Sequence, residues 1–243
     1  MISPLIPYGI RGVLWYQGEA NADRAYQYRT AFSLMITDWR QHWGEGNFPF
    51  YFVQLASFNS MNGNSEGGSK WAELREAQTH TLSLPATGMS VTTDIGESND
   101  IHPKNKQDVG LRLAAIALNN IYGQPMEYSG PVYDSMAVQG NKIILTFTHT
   151  GSGLLARNKY GYLLGFEIAG SDHHFHYAKA SVQNNKVIVY ADEVPSGPAS
   201  VRYAWADDAG DANLYNREGF PAIPFRTDQW KGVTDDIKYT ISK

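Results

Sequence analysis

The run Ile10-Arg11-Gly12-Val13-Leu14-Trp15-Tyr16-Gln17 is short, mostly apolar and rich in β-formers, so it reads as a buried strand whose end delivers the turn Gln17-Gly18-Glu19. Beyond it, Tyr28, Phe32, Ile36, Trp39 and Trp43 recur at steps of three or four. That spacing lays one apolar stripe along a helix, which Asp23 is placed to cap and Gly44 and Gly46 to stop. Phe50 to Leu55 reads as the next buried strand. A strand, helix, strand unit implies a parallel sheet. The same reading predicts a loop over 59–69, a helix over 71–84, a strand over 89–93 and a helix over 105–121 with Val109, Leu113 and Ile116 on its inner face.

After Gly130-Pro131 the texture changes to short β-prone runs separated by Gly, Asn and Pro: 142–148, 162–168, 178–182, 186–190 and 200–205. Gln139-Gly140-Asn141 and Gln183-Asn184-Asn185 stand where hairpin turns belong. The expected architecture is therefore α/β over 1–126 followed by an all-β, sandwich-like unit over 127–243.

Composition narrows the function classes. Of 243 residues, 42% are hydrophobic and 18% charged, the balance of a folded chain rather than a disordered one. A net charge of −4 without a dense Lys/Arg run speaks against nucleic acid as a partner. The absence of cysteine excludes disulfides, zinc thiolate sites and a cysteine nucleophile. No stretch approaches the roughly 20 apolar residues that span a bilayer. Met1-Ile2-Ser3-Pro4 does not read as the start of a signal peptide, so any signal is expected upstream. Aromatic residues make up 13% of the chain, and they serve equally to fill β cores or to stack on sugar rings.

Two places carry candidate chemistry. At the end of a parallel strand, side chains and backbone amides face the crevice where α/β proteins bind ligands. Gln17 and Gly18 lie there, able to donate to an oxyanion or, equally, to tie down a buried turn. The second place is His102, which Pro103 biases toward extended backbone just before a helix. A positioned histidine suits proton transfer near neutral pH, and Asp94, Glu97 and Asp100 stand upstream to orient it. The tract Asp172-His173-His174-Phe175-His176 reads as a turn or exposed strand rather than a metal site, because adjacent strand histidines face opposite ways.

These segments resemble the sialate O-acetylesterase family, serine esterases of the SGNH (GDSL-like) superfamily. The resemblance rests on Met1-Ile2-Ser3-Pro4-Leu5, on Trp15-Tyr16-Gln17-Gly18-Glu19 with Asn21, on Arg75-Glu76-Ala77-Gln78, and on Asp100-Ile101-His102-Pro103-Lys104-Asn105-Lys106. In the distal half it rests on Gly165-Phe166-Glu167-Ile168-Ala169-Gly170, Val201-Arg202-Tyr203-Ala204-Trp205 and Asn213-Leu214-Tyr215-Asn216. It implies part of a flavodoxin-like three-layer α/β/α domain, and removal of acetyl esters from sialic acid or related sugars through an acyl-serine, with no metal or organic cofactor. Acetylxylan esterases are among the relatives. His102 is then the catalytic histidine, and Gln17 with Gly18 the oxyanion block. The position three before the histidine, often aspartate in SGNH enzymes, is Asn99, which leaves Asp100 as acid, Asp94 as alternative, or a serine–histidine dyad.

The family's Gly-Gln-Ser-Asn nucleophile segment is absent from this sequence, and Ser60 in Phe58-Asn59-Ser60-Met61-Asn62 lacks its Gly-Gln lead. The chain alone is thus expected to be inactive, with an exposed parallel sheet edge that an upstream segment or companion chain covers. A non-catalytic sugar-binding or interaction module is the alternative. Acetylated glycans suggest a periplasmic or secreted location.

Overall fold

The first strand, β1 (Val13–Trp15), pairs in parallel with β2 (Phe50–Val53), and β2 with β3 (Thr87–Ser90), in the computed structural model, which describes residues 2–239. Met1, the first residue of the resemblance, lies outside them. Three helices flank this sheet: α1 (Ala25–Trp43), α2 (Lys70–His80) and α3 (Lys106–Asn120). Alternation along β2 sorts them into layers. Phe50 and Phe52 enter a cluster with Tyr28, Phe32 and Ile36 of α1 and Leu74 and Ala77 of α2. Tyr51 and Val53 meet Val109, Leu113 and Ile116 of α3 on the other face.

Local chemistry shifts several expected boundaries. Residues 19–24 wind into a 3-10 turn, so α1 starts at Ala25 with Arg24 at its N-cap and no side chain capping it. Asp23 is spent elsewhere, accepting from Lys70 Nζ at 2.7 Å. The cap of α2 is Ser69, whose Oγ accepts from the Ala72 amide at 2.9 Å. The helix expected to reach Leu84 ends at His80, and Thr81–Ser83 tightens into 3-10 geometry. β3 begins at Thr87 rather than Met89 and is followed by another 3-10 turn at Thr93–Ile95.

The distal half is all antiparallel. Its larger sheet runs β4-β5-β11-β10-β7, comprising β4 (Val132–Gln139), β5 (Lys142–Thr148), β7 (Tyr162–Leu163), β10 (Lys179–Gln183) and β11 (Lys186–Tyr190). A second sheet runs β14-β12-β8-β9, from β8 (Phe166–Ala169), β9 (Phe175–Tyr177), β12 (Ser200–Tyr203) and β14 (Phe225–Arg226). A short pair joins β6 (Leu154–Ala156) to β13 (Leu214–Asn216). Ile143, Leu145, Val187 and Val189 of the first sheet share one core with Phe166, Ile168, Val201, Tyr203 and Phe225 of the second. Both expected hairpin turns form, and Asn184 and Asn185 close theirs at φ 51° and 58°, the left-handed values a two-residue turn requires. The single strand expected over 162–168 is two strands in different sheets. Gly165 breaks it at φ 82°, and a Cβ there would stand 2.8 Å from the Ala212 Cβ.

Helix α2 fastens the two halves through a buried polar face. Arg75, fully buried, donates to the carbonyls of Leu55 (2.8 Å) and Ala56 (2.9 Å) beyond β2 and to those of Ala206 (2.6 Å) and Asp207 (2.8 Å) beyond β12. Burial pushes its guanidinium down to about 9, which leaves it charged at neutral pH. Glu73 accepts from the backbone amides of Val233 (2.7 Å) and Thr234 (3.0 Å) and from the Thr234 hydroxyl. Glu76 pairs with Arg29 and with Arg226. Ile223 inserts into the cluster built by α1 and α2.

Arg75→Met strands the carbonyls of Leu55 and Ala206, at about 1–3 kcal/mol for each buried group left unpaired, while those of Ala56 and Asp207 keep the Trp71 indole and the Phe58 amide as donors. The variant is expected to lose about 3 kcal/mol or more of stability in urea unfolding followed by circular dichroism. Acid exposes a second joint. Burial alone raises Asp228, but hydrogen bonds and charge from Arg202, Ser200 and Arg226 outweigh it, and its pKa falls below the ordinary 3.8. A depressed folded value places this stabilisation above the unfolded pKa and removes it as pH drops toward the folded one. Unfolding free energy should therefore fall more steeply below pH 3.8 in the wild type than in Asp228→Asn.

Candidate active site

The end of β1 and the start of α3 enclose a cavity of about 340 Å³ lined by Tyr16, Gln17, Glu19, Ala20, Ile101, His102 and Lys106. Two segments some 85 positions apart in sequence are thus brought to one cleft, at the carboxyl end of the parallel strands. Among the described residues, no serine, threonine or cysteine lines it.

Gln17 sits two residues past the end of β1, its backbone carbonyl accepting from Trp15 Nε1 at 3.2 Å and its side-chain amide free of hydrogen bonds among the described residues. Gly18 is buried against α2, where an added Cβ would stand 3.2 Å from Gln78 Nε2 and 3.3 Å from Leu74 Cδ2. Its amide is held by Glu19 Oε2 at 2.9 Å. Glycine at this point meets a packing demand.

The loop between β3 and α3 is pinned by Gly96, where a Cβ would come within 2.3 Å of the Ser57 carbonyl oxygen. His102 projects from it with its side chain 88% exposed. The three candidate acids of this loop go three ways. Asp94 is buried in a bidentate pair with Arg112 (2.7 and 2.6 Å) and accepts from the Tyr215 hydroxyl at 2.8 Å. Burial, reinforced by Asp94, pushes the Tyr215 hydroxyl well up, so it stays a donor. Glu97 accepts from the Lys104 amide at 2.8 Å. Asp100 Oδ1 accepts from the His102 amide at 2.9 Å and lies 3.8 Å from His102 Nδ1, beyond hydrogen-bond length but within an ion-pair approach.

Ser60 lies outside the cavity lining, with its hydroxyl 3.2 Å from Asn99 Oδ1. The histidine tract folds as a turn, with His174 N bonded to Asp172 Oδ1 at 3.2 Å, leading into β9, and His173 stacks on Trp230 with centroids 3.7 Å apart. Tyr16 and Lys106 also line the cavity, and motif reading assigned neither a role. Their signal was positional, since each lies inside a quoted block.

A family model described as carbohydrate esterase, sialic acid-specific acetylesterase matches residues 4–119. The human sialate O-acetylesterase is 29% identical over 267 residues, spanning 98% of this chain and 50% of that protein. The mouse sialate O-acetylesterase is 32% identical over 230 residues, 84% of this chain and 41% of that protein. The chain belongs to the sialate O-acetylesterase family. Among solved structures, a carbohydrate acetylesterase from Xanthomonas citri superimposes with a TM-score of 0.89 at 47% identity, over 95% of this chain and 53% of that one. The chain spans about half the length of the curated relatives it matches.

The geometry gives Asp94 a structural task. Asp94→Ala leaves Arg112 buried without its partner and is expected to lose about 3 kcal/mol in chemical denaturation, whereas Asp100→Ala, at an exposed turn, should leave the unfolding midpoint within a few tenths of a kcal/mol of wild type.

Proposed function

We propose that this chain supplies the acid–base and oxyanion half of a carbohydrate O-acetylesterase, its nucleophilic serine coming from a segment outside these 243 residues. One observation carries the reading: the cleft holds a histidine and an unengaged amide, yet among the described residues no serine, threonine or cysteine lines it. Beside it, among the described residues β1 pairs on one side only, through β2, and Leu14 is 67% exposed. A parallel strand added there would extend the sheet into the SGNH-type three-layer domain, and would bring a residue at its carboxyl end to the cleft.

In this reading His102 takes the proton of the serine hydroxyl as its oxygen attacks the acetyl carbonyl. The Gln17 amide donates to the resulting oxyanion, joined by the Gly18 N–H when Glu19 releases it. Collapse transfers the acetyl group to serine, and His102 returns the proton to the departing sugar hydroxyl. Water then attacks the acetyl-serine, again deprotonated by His102, and acetate leaves with serine restored. Asp100 supports the imidazolium from 3.8 Å and closes on Nδ1 when the site is complete. Sialic acids or related sugars, including acetylated xylan, are the substrate class, met in a periplasmic or secreted setting. A sugar-binding module is the second reading, favoured by Tyr160 and Tyr162, exposed and stacked with centroids 5.8 Å apart.

Hydrolysis of a chromogenic acetyl ester should be absent from the chain alone and appear on mixing with the serine-bearing segment. His102→Ala should then lower the rate by about 10²–10⁴-fold. Turnover by the chain alone that survives His102→Ala would overturn the assignment, and silence of a properly assembled mixture would favour the binding module.

A further inference from the structure

Strand β9 is entered through the tract Asp172-His173-His174-Phe175-His176, no part of which lines the cleft. Pairing with β8 sets its faces: Phe175 stands opposite Ala169, and His176 opposite Ile168. Phe175 is drawn to one side, its ring centroid 4.0 Å from the Arg202 guanidinium and 5.5 Å from the Trp230 ring. Alternation then sends His174 and His176 together to the other side. Their ring centroids lie 4.7 Å apart, with the planes at 89°. Of the seven histidines in the chain, these are the two whose rings adjoin among the described residues. Both backbones are fixed. Asp172 Oδ1 holds the His174 amide at 3.2 Å, and His176 is paired into the sheet. The cations of this region are already matched, Arg202 by Asp228, Lys231 by Asp236 and Lys179 by Asp192. Neither imidazole has a hydrogen-bond or ion-pair partner among the described residues, so each has a ring nitrogen to give.

We propose that His174 and His176 chelate a divalent transition-metal ion, copper(II) ahead of nickel(II) and zinc(II), with water completing its coordination. Imidazole nitrogens about 2.0–2.1 Å from a shared ion place two ring centroids roughly 4.5 Å apart when the bonds meet at right angles, and about 5.2 Å apart at the tetrahedral angle. The observed spacing falls at the right-angled end, the arrangement copper(II) takes with nitrogen ligands. The terminal torsion of histidine is soft, so each ring turns a nitrogen onto the ion without backbone movement. No third His, Asp or Glu joins them in a metal-holding group among the described residues. Water therefore fills the remaining positions, unlike the closed ligand set of a structural centre. With two imidazoles as the whole protein contribution, affinity follows the intrinsic series, in which copper(II) stands highest. Nothing in this site depends on the esterase chemistry of the cleft.

The test is titration calorimetry of the chain with CuCl2, NiCl2 and ZnCl2 in a buffer that does not bind metals, with electron paramagnetic resonance at one equivalent of copper(II). One copper(II) ion should bind per chain, about tenfold or more tightly than nickel(II) or zinc(II), and its spectrum should show coupling to two nitrogens. His174→Ala and His176→Ala should each weaken binding about tenfold or more, since a chelate becomes a single contact, and reduce the coupling to one nitrogen. His42→Ala and His102→Ala should leave both readouts unchanged, with circular dichroism verifying that each variant folds. Absence of copper(II) binding, binding that survives His174→Ala or His176→Ala at full strength, or its loss on His42→Ala or His102→Ala would overturn the proposal.

Discussion

A single guanidinium, buried to the last atom, sets the terms for the rest of this structure. Arg75 spends its donors on four backbone carbonyls, two from the turn that leaves the parallel sheet and two from the turn that leaves β12. A buried charge is tolerated only when hydrogen bonds replace its hydration shell. Neither half of the molecule can satisfy Arg75 alone. The two turns must therefore sit at fixed separation. Because one of them follows β2, the strand beside β1, the position of the cleft inherits the rigidity of that joint.

The same logic sorts the acidic residues near the cleft. Asp94 would look, on chain position alone, as eligible a partner for His102 as Asp100. Its bonds to Arg112 and Tyr215 instead link α3 to β13, and they hold the base of the loop from which His102 projects. Asp100 occupies the tip of that loop and shapes the turn around the histidine. The loop is thus rigid at its base and exposed at its tip, where it presents His102.

Much of this was legible in the residues. The stripe through Tyr28, Phe32 and Ile36, the continuous apolar run of β2 and the inner face of α3 are strong periodic signals, and the structure follows them. The Gln17 and His102 blocks do meet in one cleft. What escaped reading depends on tertiary partners. The 3-10 turn over 19–24 displaced the cap expected at Asp23, because that carboxylate bonds Lys70 across the surface. The run over 162–168 reads as one strand until Gly165 is seen bending away from Ala212. Two- and three-residue strands such as β6, β13 and β14 are too short for any period to register. The polar face of α2 carries no sequence mark of burial, since Glu73, Arg75 and Gln78 on a helix ordinarily signal exposure to water.

That polar face has a consequence for how the chain comes into being. Glu73 is bonded to Thr234, 161 positions later, and Arg75 to Ala206, 131 later. On a ribosome, α2 emerges long before either partner, and contacts of such span are among the last to form. An apolar face waiting that long would invite association with neighbouring chains. A face of carboxylate, guanidinium and amide waits in water at little risk, and the seam closes only when residues 206–234 arrive.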